Sequence, residues 1–576
     1  MRRLPFRVAV SVAIAALVSS ASCAPATPPI APATLVLRNG KVVTVDDAPS
    51  EARAIAITGD RVTAVGSDEE IGRYIGAGTE VIDAAGQLIV PGFIESHGHF
   101  TGVGEAQLVL KLGAARTWDD ILAMVEKAAA AAKPGQWIYG RGWHQEKWTA
   151  PPSPNVEGFP TEASLSKVSP NNPVLLTHAS GHASFANAIA MKLSGITRTT
   201  KSPEGGEILK DPQGNPTGLL RETAARLVKR GAGEPLATDA EKLARDPQVL
   251  QLAAEEALSK GVTTFHDAGS PFETIDRMKA MVDEGKLGVR LWVMVRAGVE
   301  QEAQKLAAYR MINYGNGHLT VRAIKRSIDG ALGSRGAWLL EPYADKADST
   351  GLNTTSVDDI RRTAELAMRH GYQLCVHAIG DRANRETLNI FEAAFKANPG
   401  KKDLRWRVEH AQHLHPTDIP RFGALGVIAS MEGVHCTSDA PYVLARLGAK
   451  RAEEGAYVWQ KLLKTGAVVT NGTDAPVEDV DPIASYYATV SRKLTDGSVF
   501  YPDQRMSRME ALKSYTINGA FAAFEDDSKG SLKPGKYGDL VVLSKDILTI
   551  PEDEIPSAQV VYTIVGGKVR YKRSSN

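Results

Sequence analysis

Apolar and polar positions follow two rhythms along this chain. Near the N-terminus, residues 34–45 and 54–66 alternate with the period of two that half-buried strands require. Asn39-Gly40 and Gly59-Asp60 interrupt them as turn signals, so each stretch reads as a hairpin. The C-terminus repeats the style, with strand patterns over residues 539–543 and on both sides of Gly566-Gly567. The two ends predict one small β-sandwich, residues 34–90 together with 532–576, flanking a central unit.

In the middle, short β-branched runs alternate with helical stretches. The candidate strands are residues 88–90, 262–265, 289–295, 374–376, 406–408, 427–430 and 468–470. This alternation predicts a parallel α/β fold. Nearly every run leads into a polar residue: His97, His266, Asp329, His377, His410, Glu432 or Asp474. Chemistry gathered at C-terminal strand ends is the geometry of a (β/α)8 TIM barrel, here residues 91–531. Residues 100–260 are too many for one βα unit and predict an inserted α/β subdomain over the barrel mouth.

Length and composition narrow the class. The 576 residues suffice for two or three domains, and 43% hydrophobic with 23% charged residues is globular composition. A formal net charge of +1 offers no basic face for nucleic acid. At the N-terminus, Arg2, Arg3 and Arg7 flank an apolar run over 8–18 that is too short to span a bilayer. Small residues 19–22 then lead to Cys23. Residues 1–23 read as an export signal and 24–33 as a Pro/Ala-rich tether, which places the mature chain in a bacterial periplasm or on the cell envelope. The small residues before Cys23 match a lipoprotein site, although Ser20 replaces the usual Leu. A lipid anchor through Cys23 and simple cleavage both stay open. Cys375 and Cys436 are far apart and imply no disulfide framework.

His97 and His99 carry the strongest chemical signal. Side chains two apart on a strand point the same way, so both imidazoles can meet one metal, with Gly98 keeping the intervening position small. The competing reading is two unrelated surface histidines. His377, His410 and Asp474 also follow apolar runs, in Val376-His377-Ala378, Val408-Glu409-His410 and Gly472-Thr473-Asp474. His266-Asp267 reads as structural, as do His318 and His370. His413 and His415 read as solvated loop residues.

The order His-x-His, His, His, Asp resembles the amidohydrolase superfamily. Gly140-Arg141-Gly142-Trp143-His144, Gly181-His182-Ala183 and residues 218–222, 324–335, 515–520 and 530–540 are similar to one branch of it. That branch is the YtcJ-like amidohydrolases, related to N-substituted formamide deformylases, and the likeness covers residues 34–570. It implies a binuclear centre in which His97 and His99 hold one metal, His377 and His410 the other, and a carboxylated Lys325 bridges them. Two divalent ions are implied, zinc first, with Mn, Fe or Co also suited to such ligands. A CO2-derived carbamate turns the Lys325 amine from a cation into an anionic ligand. Asp474 would touch the first metal and move the water's proton, and His182 would act as a neutral donor to the oxyanion. Trp143, His144, Asp329 and His435 would line the substrate site. His144 stands where relatives often have Asp, His178 departs from a charged pattern, and Glu432-Gly433 replaces a usual Gln-Pro before His435.

The activity this implies is hydrolysis of a non-peptide C–N bond in a small linear amide or N-formyl compound. Relatives often form homodimers. A mononuclear deaminase on the same barrel would place a Glu or a neutral residue where Lys325 stands. A lactone or ester hydrolase could share the whole site. A non-catalytic envelope binding protein would lack ligands, whereas all six positions are filled.

Overall fold

The computed structural model describes Met1, Ala9 and residues 31–45, 52–231 and 239–574. The expected export signal with Cys23, and most of the tether, lie outside these residues. No helix among them is long and apolar enough to cross a membrane.

Eight parallel strands form the barrel, each hydrogen-bonded to the next: β1 (Phe93–Gly98), β2 (Val262–Ser270), β3 (Arg290–Val295), β4 (Leu319–Ser327), β5 (Gln373–Ala378), β6 (Arg407–His410), β7 (Ile428–Glu432) and β8 (Val469–Gly472), with Met311–Asn313 added antiparallel to β4. The ring closes just beyond β8, where Gly98 pairs with Ala475 in parallel. There Asp474 N donates to His97 O at 2.8 Å and His99 N to Ala475 O at 2.6 Å. Closure thus ties the His-x-His strand directly to the loop bearing Asp474. Strands such as β3 are buried along their whole length, as parallel strands covered by helices must be.

Two strand expectations change. Residues 88–90 belong to Leu88–Pro91, which pairs with Leu540–Leu543 in the sandwich and not in the barrel. Pro91 has no N–H to continue a ladder, and the chain enters the barrel after Gly92. The eighth barrel strand is β4, which carries Lys325; Arg322, Lys325 and Arg326 break up its apolar pattern.

The β-sandwich is built from both chain ends. One sheet runs Arg61–Gly66, Ala54–Thr58, Leu35–Arg38, Glu80–Asp83; the other runs Lys41–Val42, Leu88–Pro91, Leu540–Leu543, Val560–Val565, Lys568–Lys572. They share a core that includes Leu37, Ile55, Ile57, Ile89, Leu540, Val542 and Ile564. Asn39-Gly40 is therefore a crossover between sheets and not a hairpin turn. Asn39 adopts a left-handed φ of 53°, its N–H donates to Asp68, and Gly40 packs on Ile89. The Gly59 hairpin forms as expected.

Between β1 and β2 lies the insertion, a six-stranded mixed sheet ordered Gly206–Lys210, Pro216–Glu222, Ala183–Ala186, Val174–His178, Ile138–Trp143, Leu110–Lys111. It leans on the barrel mouth through Arg141, whose Nε donates to Pro476 O at 3.1 Å, and through the Arg446–Glu146 ion pair at 2.5 Å. Before the insertion, helix α1 (Phe100–Ala106) packs on α2 (Asp239–Ser259). Their approach is close: a Cβ on Gly104 would lie 1.9 Å from Val249 O.

Candidate active site

The period of two along β1 sends Glu95 and His97 to one side, and His99 continues the series past the strand end. The turn at Gly98 has no room for a side chain, since a Cβ there would meet the Phe265 ring at 2.6 Å. Asp267 then fixes the chain after His99 by accepting from Phe100 N at 2.9 Å. Glu95 accepts from Thr473 N at 2.6 Å and so holds the Asp474 loop from the other side. His97 Nε2 lies 3.1 Å from Lys325 Nζ and 3.6 Å from Asp474 Oδ1, and His99 Nε2 lies 3.2 Å from the same oxygen.

The imidazoles are oriented from behind. His97 Nδ1 is bonded to Glu409, itself clamped by Arg407 with an Nε–Oε1 distance of 2.7 Å and an NH2 bond of 2.9 Å. His410 Nδ1 donates to Glu432 Oε2 at 2.8 Å. These contacts fix the ring orientation and leave each Nε2 for a ligand. The His410 ring sits 4.7 Å from that of His97 and 4.4 Å from that of His377. His410, Ala411 and Asp474 adopt left-handed φ values of 71°, 42° and 54°. Such backbone costs about 1–3 kcal/mol per residue and clusters where geometry serves chemistry.

His377 Nε2 is buried without a hydrogen-bond partner, 3.5 Å from Asp329 Oδ1. Asp329 is fully engaged elsewhere, accepting from Trp338 N, Ile379 N and Gly380 N at 2.9, 3.0 and 2.8 Å. It thereby shapes the loop that follows His377.

Electrostatics suit a cation. Burial holds His97 and His377 well below the usual imidazole value and His410 at about 3, so all three are neutral and able to ligate. Burial alone would raise Asp474, but its contact with His99 keeps it well below the carboxylate range. Burial pulls the Lys325 amine down to about 8. His97, His99 and Asp474 offer ligand atoms within 4.8 Å of one another, and so do His97, His410 and Glu432. With the orphaned His377 nitrogen, this imidazole and carboxylate set fits divalent metal.

These groups line a cavity of ≈ 760 Å³, with His99, His182, Asp329, Lys325, His377, His410 and Asp474 among its walls. His182 comes from the insertion, its ring 5.0 Å from that of His377 and its Nδ1 2.7 Å from Glu222 Oε2. Burial would lower its pKa, yet Glu222 raises it overall above the usual imidazole value. His144 and His435 line an adjoining side pocket of ≈ 40 Å³. His144 lies 5.6 Å from the Tyr442 ring, and His435 stacks 6.3 Å from His410.

Trp143 is placed elsewhere. Its ring is buried in the insertion's core against Trp148, Phe159 and Phe185, with Nε1 donating to Leu176 O at 3.0 Å. His413 also departs from expectation: it is buried against Tyr457 at 5.5 Å, while His415 stays half-exposed. His266 packs on Trp292 at 5.0 Å beneath the site, in keeping with a structural role. Glu95, Glu222 and Glu409 went unread. Glu95 could have been found from its spacing, two before His97 on the same strand face.

The family model described as "Amidohydrolase family" matches residues 80–571. The Protein LONG AFTER FAR-RED 3 of Arabidopsis thaliana is 34% identical, covering 94% of this chain and 92% of its own. The N-substituted formamide deformylase of Arthrobacter pascens is 28% identical over 94% and 99%, and the putative amidohydrolase YtcJ of Bacillus subtilis (strain 168) 29% over 94% and 99%. Among solved structures, an uncharacterized metal-dependent hydrolase from Pyrococcus furiosus superposes with a TM-score of 0.68 at 26% identity, over 89% of this chain and 100% of that one. A barrel whose parallel strands end in this histidine and carboxylate cluster, and a family match over most of its length, make this chain a member of the amidohydrolase family.

Proposed function

We propose that this hydrolase cleaves a non-peptide C–N bond in a small linear amide or N-formyl compound, using two divalent metal ions, zinc first. The reading rests on the convergence of His99, Lys325, His377, His410 and Asp474 on one cavity, with His97 buried beside Lys325 and Asp474. His97 and His99 would hold one ion and His377 and His410 the other. Lys325 would bridge them after its neutral amine adds CO2 and releases a proton. Its amine is buried, pulled toward neutrality, and 3.1 Å from His97 Nε2. The same amine speaks against the mononuclear deaminase, where a cation would repel the metal.

When bound, such ions supply an activated water and polarise the scissile carbonyl. The protein's own groups do the rest. Asp474, ionised and beside His97 and His99, takes the attacking water's proton and returns it to the leaving nitrogen. His182, held by Glu222 at Nδ1, faces the same cavity and donates to the oxygen on which negative charge develops. Asp329 sets the backbone after His377, and His144 and His435 border the substrate. The work is placed outside the cytoplasm, on the strength of the export pattern before Cys23.

The test is product analysis of purified enzyme on matched N-alkylformamides, lactones and amino-substituted heterocycles. Formate and free amine from the formamides are expected. Ammonia from the heterocycles, or turnover confined to lactones, would contradict the reading.

A further inference from the structure

The main cavity holds more guanidinium charge than its chemistry needs. Arg141, Arg226, Arg230, Arg245 and Arg296 all line it. Among the carboxylates that share it, Glu222 is committed to His182, Asp329 to three backbone N–H groups and Asp474 to the histidines, which leaves Glu105 as a negative charge acting on Arg141. Arg141, among the described residues, donates to carbonyls, Pro476 O at 3.1 Å and Ala179 O at 3.2 Å. Arg296, among the described residues, donates to Ser327 Oγ at 3.2 Å. Arg226 has no carboxylate within ion-pair distance among the described residues.

Elsewhere in this chain Arg290 finds Asp539 and Arg326 finds Glu302, although buried Arg492 donates to the carbonyls of Phe500 and Tyr457. Burial pulls Arg296 below its usual value, and its neighbours Arg226 and Arg326 push the same way. Like charges gathered in a half-buried cavity destabilise the free protein, and an anion entering between them offsets that cost. The guanidinium fork matches a carboxylate in particular. A monoanion suits the wall better than a dianion, because Glu105, Glu222, Asp329 and Asp474 share the space.

We propose that the non-reacting end of the substrate carries a carboxylate, bound by Arg141, Arg226 and Arg296 on the cavity wall. This rests on the amide-hydrolase reading above and names the substrate class for it. The substrate is then an amide whose amine or acyl part ends in a free acid, held so that its C–N bond faces Asp474 and His182.

A matched pair tests it: N-formyl-4-aminobutyrate against N-butylformamide, which differ by a carboxylate in place of a methyl. Wild type is expected to favour the acid at least tenfold in kcat/KM. Arg141→Met with Arg226→Met is expected to lower that ratio at least tenfold at unchanged metal content. Arg296, beside Lys325, is left in place so that the metal cluster is undisturbed. A wild-type ratio near one, or a ratio the double variant leaves intact, overturns the proposal. Thermal stabilisation by butyrate against butyramide separates it from the amide reading. Stronger stabilisation by butyrate, lost in the double variant, supports the arginine wall even if neither formamide is cleaved. Equal stabilisation of wild type by both compounds, or a difference that the double variant keeps, overturns it.

Discussion

His410 Nδ1 donates to Glu432 Oε2 at 2.8 Å, with both side chains buried, and this bond decides which face of the imidazole meets the cavity. A carboxylate behind a ligating histidine fixes its tautomer and raises its basicity, an effect worth about 10–100-fold in metal affinity. Glu432→Gln is therefore expected to weaken metal retention by roughly that factor while the fold persists. Competition with a graded chelator series reads this directly. Retention equal to wild type would mean that Glu432 packs against His410 without orienting it.

Within the insertion, Glu222 raises the pKa of His182. Because the folded pKa of His182 is raised, its imidazolium survives to higher pH than a free histidine would allow. Activity that needs this proton falls as pH rises through the raised value. Glu222→Gln removes the cause, so the alkaline limb of kcat/KM should move to lower pH. A limb that stays in place would assign the descending arm to another group.

The barrel and the sandwich are joined by a buried bidentate pair, Arg290 with Asp539 at 2.7 and 3.1 Å. Burial would raise Asp539, yet Arg290 brings it below its ordinary value of 3.8. For a depressed carboxylate the stabilisation is present above the ordinary pKa and is lost as pH falls through the lowered one. Asp539→Asn leaves Arg290 uncompensated and should cost about 3–5 kcal/mol at neutral pH. The deficit relative to wild type should shrink in acid below the lowered pKa. Denaturant titrations at several pH values test both parts, and a deficit independent of pH in acid would reject the charge argument.

The site was more legible than its supports. His97 and His99 announce themselves because strand alternation converts a spacing of two into a shared direction. His377, His410 and Asp474 announce themselves because each follows an apolar run. Trp143 misled because an aromatic beside a motif reads the same whether it faces substrate or an inserted core. His413 misled because only tertiary packing against Tyr457 distinguishes a buried loop histidine from a solvated one. Asn39-Gly40 carries the local chemistry of a hairpin turn, and only the distant partners Ile89 and Asp68 make it a crossover. β4 escaped notice because its charged residues face partners, Arg326 toward Glu302 and Lys325 toward His97, that lie far away in sequence.

The central claim is a binuclear metal centre bridged through Lys325. Elemental analysis of chain purified without residues 1–23, for wild type beside Lys325→Ala, tests it most directly. The account predicts about two metal ions per chain in wild type and a marked fall on substitution, since the bridging anion is lost with the amine. About one ion per chain, unchanged by the substitution, would remove Lys325 from the centre and contradict the account.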